Sequence, residues 1–171
     1  MSNTALVIID VQNMLIEEKP FQVERFISNI QNLIEKCRNK NLPIIYIRHN
    51  NEEFKKDTHD WDIHSSIQPE PEDQIFDKYY NSIFFQTNLK EHLQKNNIHE
   101  LILCGMVAEY CVDASIKAAF EHGYKVYVAE GCTTTFGNEL IASKDLMEFY
   151  EEFIWPRFSI VLSFQELFER I

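Results

Sequence analysis

The sequence predicts an α/β domain, a mostly parallel sheet covered by helices on both faces. Three observations predict it. Short apolar runs rich in β-branched residues recur along the chain. Longer amphipathic stretches with helical spacing lie between them. No repeat or low-complexity tract interrupts the alternation. Strands without a polar face need cover on both sides, as in parallel sheets with helical crossovers. The 171 residues suit a single domain over 1–171.

The elements follow in order. Residues 5–9, Ala-Leu-Val-Ile-Ile, form the first strand. Phe26, Ile27, Ile30, Leu33, Ile34 and Cys37 repeat at helical spacing, which predicts a helix over about 20–41. Residues 43–47 form a second strand, with Pro43 at the first position, where proline is tolerated. The polar stretch 50–73, with Pro69 and Pro71, is a long connection of the kind used for lids or binding loops. A weaker third strand covers 74–78. A helix over about 87–96 turns Leu89 and Leu93 inward. The fourth strand covers 100–104. A helix over about 109–122 ends at Gly123, a natural residue just past a helix C-terminus. The fifth strand covers 125–129. A helix from Asn138, read as its N-cap, runs to about 153. The last strand covers 158–162, and a short helix closes the chain.

Composition removes several function classes. Sixteen Lys and Arg against 27 Asp and Glu give a net charge of −11. That charge opposes general nucleic-acid binding and docking on anionic membranes. The four glycines, Gly105, Gly123, Gly131 and Gly137, make neither GxGxxG nor Gly-Lys-Ser/Thr, so both common phosphate cradles are missing. No apolar run approaches the roughly 20 residues of a membrane span. The N-terminal stretch has no basic segment before its short apolar run, so no signal peptide and a cytoplasmic location are expected. Cys37, Cys104, Cys111 and Cys132 form no CxxC and read as cytosolic thiols.

In a parallel sheet, ligands bind beyond the carboxyl ends of the strands, where the strand order reverses. Three chemistry-bearing residues fall on that edge. Asp10 follows the first strand and reads either as a helix cap or as a general base. Lys78 ends the third strand, where a lysine is either solvated or functional. Cys111 lies near a helix N-terminus, where free N–H groups and the helix dipole favour a thiolate; a packing cysteine is the alternative. Together they supply a nucleophile, a base and a cation, the set an activated cysteine needs.

At these residues the chain resembles the isochorismatase-like cysteine hydrolase superfamily. The resemblance rests on Ala5 through Gln12, on Phe76-Asp77-Lys78 before Asn81-Ser82-Ile83-Phe84, on Leu103-Cys104-Gly105 through Cys111-Val112, and on Ala118 through Val126. It covers nearly the whole chain. It implies a three-layer αβα sandwich with a six-stranded sheet of order 3-2-1-4-5-6. It also implies a catalytic triad of Asp10, Lys78 and Cys111. Cys111 attacks a carbonyl carbon, Asp10 takes and returns the proton, and Lys78 holds both. A cis peptide is implied at Met106-Val107, with the Val107 and Cys111 N–H groups at the oxyanion. The family is usually dimeric or larger, so the implied partners are a small-molecule substrate and further copies of this chain.

The resemblance also divides by metal. Nicotinamidases carry an Asp-x-His pair after the second strand, and the matching stretch here reads Arg48-His49-Asn50-Asn51-Glu52. No metal or other cofactor is therefore expected. His59, Asp60, Asp62 and His64 cluster downstream as an alternative metal set, the reading that goes with a metal-dependent, nicotinamidase-type amidase. Trp61-Asp62-Ile63-His64 is similar instead to a segment of metal-free members. The run from Glu109 to Asp113 is most like small hydrolases such as streptothricin hydrolase, which opens a lactam. The function implied is cleavage of a small amide, lactam or ureido C–N bond. A non-catalytic small-molecule-binding member of the fold is the remaining alternative. Gln12, Trp61, Tyr79, Phe84 and Tyr110 are expected at the substrate pocket. Cys132 reads as core or as a second reactive thiol, and Trp155 as an interface residue.

Overall fold

A computed structural model describes residues 3–170. Met1 and Ser2, part of the stretch read for a signal peptide, and Ile171 lie outside the described residues. Six strands form one parallel sheet: β1 (Thr4–Ile9), β2 (Ile44–His49), β3 (Gln74–Lys78), β4 (Glu100–Met106), β5 (Lys125–Thr134) and β6 (Ile160–Leu162). Their order is β3-β2-β1-β4-β5-β6. The helices are α1 (Asn13–Glu17), α2 (Val23–Asn39), α3 (Leu89–Lys95), α4 (Asp113–Glu121), α5 (Ser143–Phe149) and α6 (Phe164–Arg170).

Successive side chains of β1 go to opposite faces, and both faces are apolar. Ala5, Val7 and Ile9 pack with Leu89 and Leu93 of α3 and Ile116 and Ala119 of α4. Leu6 and Ile8 pack with Phe26, Ile30 and Leu33 of α2 and with Leu167 of α6. All six β1 residues are buried. This is the three-layer αβα arrangement, and it explains why the strand carries no polar alternation.

Sequence and structure differ where local backbone geometry decides. Gln22 adopts φ 52°, so α2 starts at Val23 rather than near residue 20. Asn138 does not cap a helix. Its Oδ1 accepts the Leu140 and Ile141 N–H groups at 2.9 and 3.0 Å and closes a turn, and α5 begins only at Ser143. The π-helical turn Tyr150–Ile154 then extends α5. α1 has no counterpart in the sequence reading, and β5 runs five residues beyond the predicted strand. Trp155 is fully buried in the core, which removes it from any interface. Cys132 is also fully buried, and burial pushes its thiol up to about 12, so it packs as core. No helix among the described residues is long and apolar enough to cross a membrane.

One close approach sets the site. β4 pairs with β1 through Ile9 opposite Gly105. Gly105 has φ +120°, and a Cβ there would run into the Ile9 backbone. Only glycine lets the two strand ends come this near in this conformation.

Candidate active site

The site is built from three strand ends and one turn. Asp10 follows β1 with φ 52°, a left-handed conformation that Asp tolerates better than most residues. Its N–H donates to the Ile47 carbonyl at 3.0 Å, which ties it to the end of β2. Lys78 is the last residue of β3, two strands away, opposite His49 of β2 in register. Its side chain crosses the end of β2 and reaches Asp10. Cys111 lies in a π-helical turn, Ala108–Val112, that links the end of β4 to α4. Widened turns of this kind occur often at functional sites. The peptide bond between Met106 and Val107, just before this turn, is cis.

These elements converge on one ammonium. Lys78 Nζ lies 2.7 Å from Asp10 Oδ2, 3.1 Å from Cys111 Sγ and 2.9 Å from His49 Nδ1. Lys78 is fully buried, and Asp10 is 2 % exposed. The second Asp10 oxygen, Oδ1, is buried without a hydrogen-bond partner. Cys111 Sγ is also 3.8 Å from Asn81 Oδ1. The Ser115 hydroxyl donates to the Cys111 carbonyl and accepts the Ile83 N–H, pinning the turn to the segment after β3. Thr135 Oγ1 donates to Glu109 Oε2 at 2.7 Å and fixes the other side of the turn.

Electrostatics here differ from the thiolate expected of a helix N-terminus. Burial, reinforced by the Asp10 charge, pushes the Cys111 thiol up to about 12, and Lys78 only partly offsets this. Burial alone would lower Lys78, but Asp10 and then Cys111 outweigh it and hold the ammonium above its ordinary value. Burial and the neighbouring ammonium lower His49. The resting arrangement is thus a thiol, an ammonium and a neutral imidazole.

The other expected residues divide. Tyr79 and Tyr110 are exposed, at 64 % and 57 %. Tyr79, with Asn50, Phe54 and Lys55 among others, lines an open recess of about 530 Å³. Gln12, Trp61 and Phe84, expected at the pocket, have structural partners instead. The Gln12 amide donates to the His49 and Trp61 carbonyls and accepts the His49 N–H, so it staples a strand end. Trp61 is buried, with its Nε1–H on Asn50 Oδ1 and the Arg48 guanidinium 3.7 Å over its ring. Phe84 is buried and stacks on Tyr124. The four residues 59, 60, 62 and 64 do not assemble as one metal set. His59 and Asp60 group with Glu17 at the surface, whereas His64 Nδ1 pairs with the Ser66 hydroxyl. His49 was missed as a contributor. Its only signal in the sequence is its place at the end of an apolar run beside the predicted edge.

The isochorismatase domain profile matches residues 4–165. The chain is 33 % identical over 141 residues to the isochorismatase family protein YddQ of Bacillus subtilis, covering 77 % of this chain and 78 % of that one. It is 27 % identical over 153 residues to nicotinamidase 3 of Arabidopsis thaliana, covering 80 % and 75 %. A crystal structure of an isochorismatase family protein superposes with a TM-score of 0.89 at 26 % identity, over 95 % of this chain and 99 % of that one. With its sheet order, its strand-end carboxylate and these matches over most of its length, the chain belongs to the isochorismatase family of hydrolases.

Proposed function

We propose that the protein is a cysteine hydrolase that cleaves a small amide, lactam or ureido C–N bond through an acyl-enzyme on Cys111. The observation that carries this reading is the buried Lys78 ammonium, in contact with both Asp10 Oδ2 and Cys111 Sγ. The similarity to a nicotinamidase supports an amide as the substrate class.

A thiol held near 12 carries little thiolate at neutral pH. Its proton must therefore leave as the bond to carbon forms. The Asp10, His49 and Cys111 donor atoms lie within 4.8 Å of one another, which puts a carboxylate within reach of that proton. In the proposed cycle the Cys111 sulfur attacks the carbonyl carbon and Asp10 accepts the thiol proton. The carbonyl oxygen becomes an oxyanion, assigned to the Val107 and Cys111 N–H groups. Collapse breaks the C–N bond, and Asp10 returns the proton to the leaving nitrogen. Water then attacks the thioester, Asp10 takes its proton, and the thiol is restored as the acid leaves. Lys78 stays an ammonium throughout and keeps the two anionic groups apart and aligned.

No step is assigned to a metal ion. Where nicotinamidases carry an acidic ligand, this chain has Arg48-His49-Asn50. The Arg48 guanidinium pairs with Asp77 at 2.8 Å, and His49 Nδ1 faces the Lys78 ammonium. His49 also stands with Asp10 and Cys111 in a group whose donor atoms lie within 4.8 Å of one another, but the Lys78 ammonium contacts all three and competes with a cation there. The reading includes a homo-oligomer. Leu140, Phe149 and Phe153 are exposed apolar groups that self-association would cover, and light scattering tests this.

The test of the chemistry is a pair of variants. Cys111→Ala and Asp10→Asn should each lower kcat on any hydrolysed amide by more than about 10⁴-fold, with the fold intact by circular dichroism. Near-normal turnover in Cys111→Ala removes the reading.

A further inference from the structure

A lysine ammonium has three N–H donors and no acceptor. In a buried site each needs a partner, or the ammonium turns away from its task. Asp10 Oδ2 and Cys111 Sγ supply two. The third lies 2.9 Å away, at Nδ1 of His49. We infer that His49 is a positioning residue for this site: its neutral imidazole, with the proton on Nε2, accepts the third Lys78 N–H and holds the ammonium between Asp10 and Cys111. The inference rests on the reading of Cys111 as the nucleophile.

The surroundings of His49 are built for this. Its N–H and carbonyl are both held by the Gln12 amide, at 2.8 and 3.1 Å. The same amide donates to the Trp61 carbonyl at 2.7 Å, and Trp61 is anchored on Asn50. The His49 ring meets the Phe54 ring edge-on, with centroids 5.8 Å apart. Gln12 and Trp61 thus act at a distance, by fixing the strand end that carries His49. The charged and titratable groups facing the imidazole are Lys78, Asp10 and Cys111. Desolvation and Lys78 favour the neutral ring, and Asp10 opposes them. A protonated ring would present N–H to N–H at 2.9 Å, so protonation and the Lys78 contact exclude each other. Protonation of His49 should therefore displace the Lys78 ammonium from it.

Two readouts test this on the full-length protein. Imidazole ¹⁵N spectra, with His49 assigned by its loss in His49→Asn, should show an unprotonated Nδ1 and a titration midpoint below the ordinary 6.5. An Nδ1–H tautomer, or a midpoint above that value, overturns the proposal. In kinetics, His49→Leu should lower kcat by about 10- to 100-fold with little change in KM. His49→Asn places an amide oxygen where Nδ1 stood. It should recover most of that loss and shift the acid limb of the pH profile, because the amide does not titrate. Wild-type turnover in His49→Leu, or an unchanged acid limb in His49→Asn, also overturns it. If the wild type hydrolyses no amide, the functional reading fails, while the imidazole spectrum still decides His49.

Discussion

Lys78 Nζ stands 3.1 Å from Cys111 Sγ, although two strands of the sheet, β2 and β1, lie between the elements that carry them. The lysine reaches the sulfur only because it crosses the end of β2 and is caught by Asp10 on the way. Its charge is thus a structural element as well as a chemical one.

Lys78→Met should be costly to the fold. It leaves the Asp10 carboxylate buried with no partner for Oδ2 as well as for Oδ1. Breaking one half of a buried pair destabilises by about 3–5 kcal/mol. The double variant Asp10→Leu/Lys78→Met should recover much of that loss, since no unpaired charge remains. Urea unfolding of the two variants checks this; equal destabilisation in both would show that the pair does not matter.

Stability should fall steeply in alkali. The folded thiols of Cys37, Cys111 and Cys132 are each raised from 9.0 to about 12, chiefly by burial, and burial also raises Cys104 well above its ordinary value. Between those values the unfolded chain loses thiol protons that the folded chain keeps, so stability drops as pH rises. Each such thiol adds a slope of about 1.4 kcal/mol per pH unit. Replacing Cys132 with Ser should reduce the slope above pH 9 by one thiol's share, measured as the pH dependence of urea unfolding.

Gly105→Ala should disturb the site through the backbone. The new methyl group meets the Ile9 backbone, one residue before Asp10, and the φ of +120° is itself strained for alanine. The expected outcome is a loss of several kcal/mol or no soluble protein. A wild-type melting temperature would refute the close approach of β1 and β4.

Ser115→Ala should loosen the nucleophile turn. The hydroxyl links the Cys111 carbonyl to the Ile83 N–H inside the core, and its removal takes away this link and the partner of the Ile83 N–H. A cost of about 1–3 kcal/mol is expected. Slower turnover should accompany it, with KM little affected. Unchanged stability and kcat would show that the turn is held by other contacts.

The covered parallel sheet was readable because strands apolar on both faces have few alternatives; its strand order followed from the resemblance to the isochorismatase-like superfamily. β1 with Ala5, Val7 and Ile9 on one side and Leu6 and Ile8 on the other is the clearest case. The juxtaposition of Asp10, Lys78 and Cys111 was readable because each falls at a strand end or just past one. The short polar couplings were not. Gln12, Trp61 and Phe84 look like pocket residues in sequence, yet their partners lie 37 to 49 positions away or across a layer. Asn138 carries the side chain of a cap, but the same oxygen closes a turn equally well. The raised thiol of Cys111 was not readable because a helix N-terminus is visible in sequence, whereas desolvation depends on the packed core around it.

The central claim is a covalent acyl-enzyme on Cys111. The most direct measurement is intact-protein and peptide mass spectrometry after acid quench with nicotinamide, 2-pyrrolidone and N-carbamoylglycine, alongside product release. The account predicts hydrolysis of at least one of them. It also predicts an acyl adduct on the Cys111 peptide alone, with both signals absent in Cys111→Ala. Hydrolysis undiminished in Cys111→Ala would contradict it.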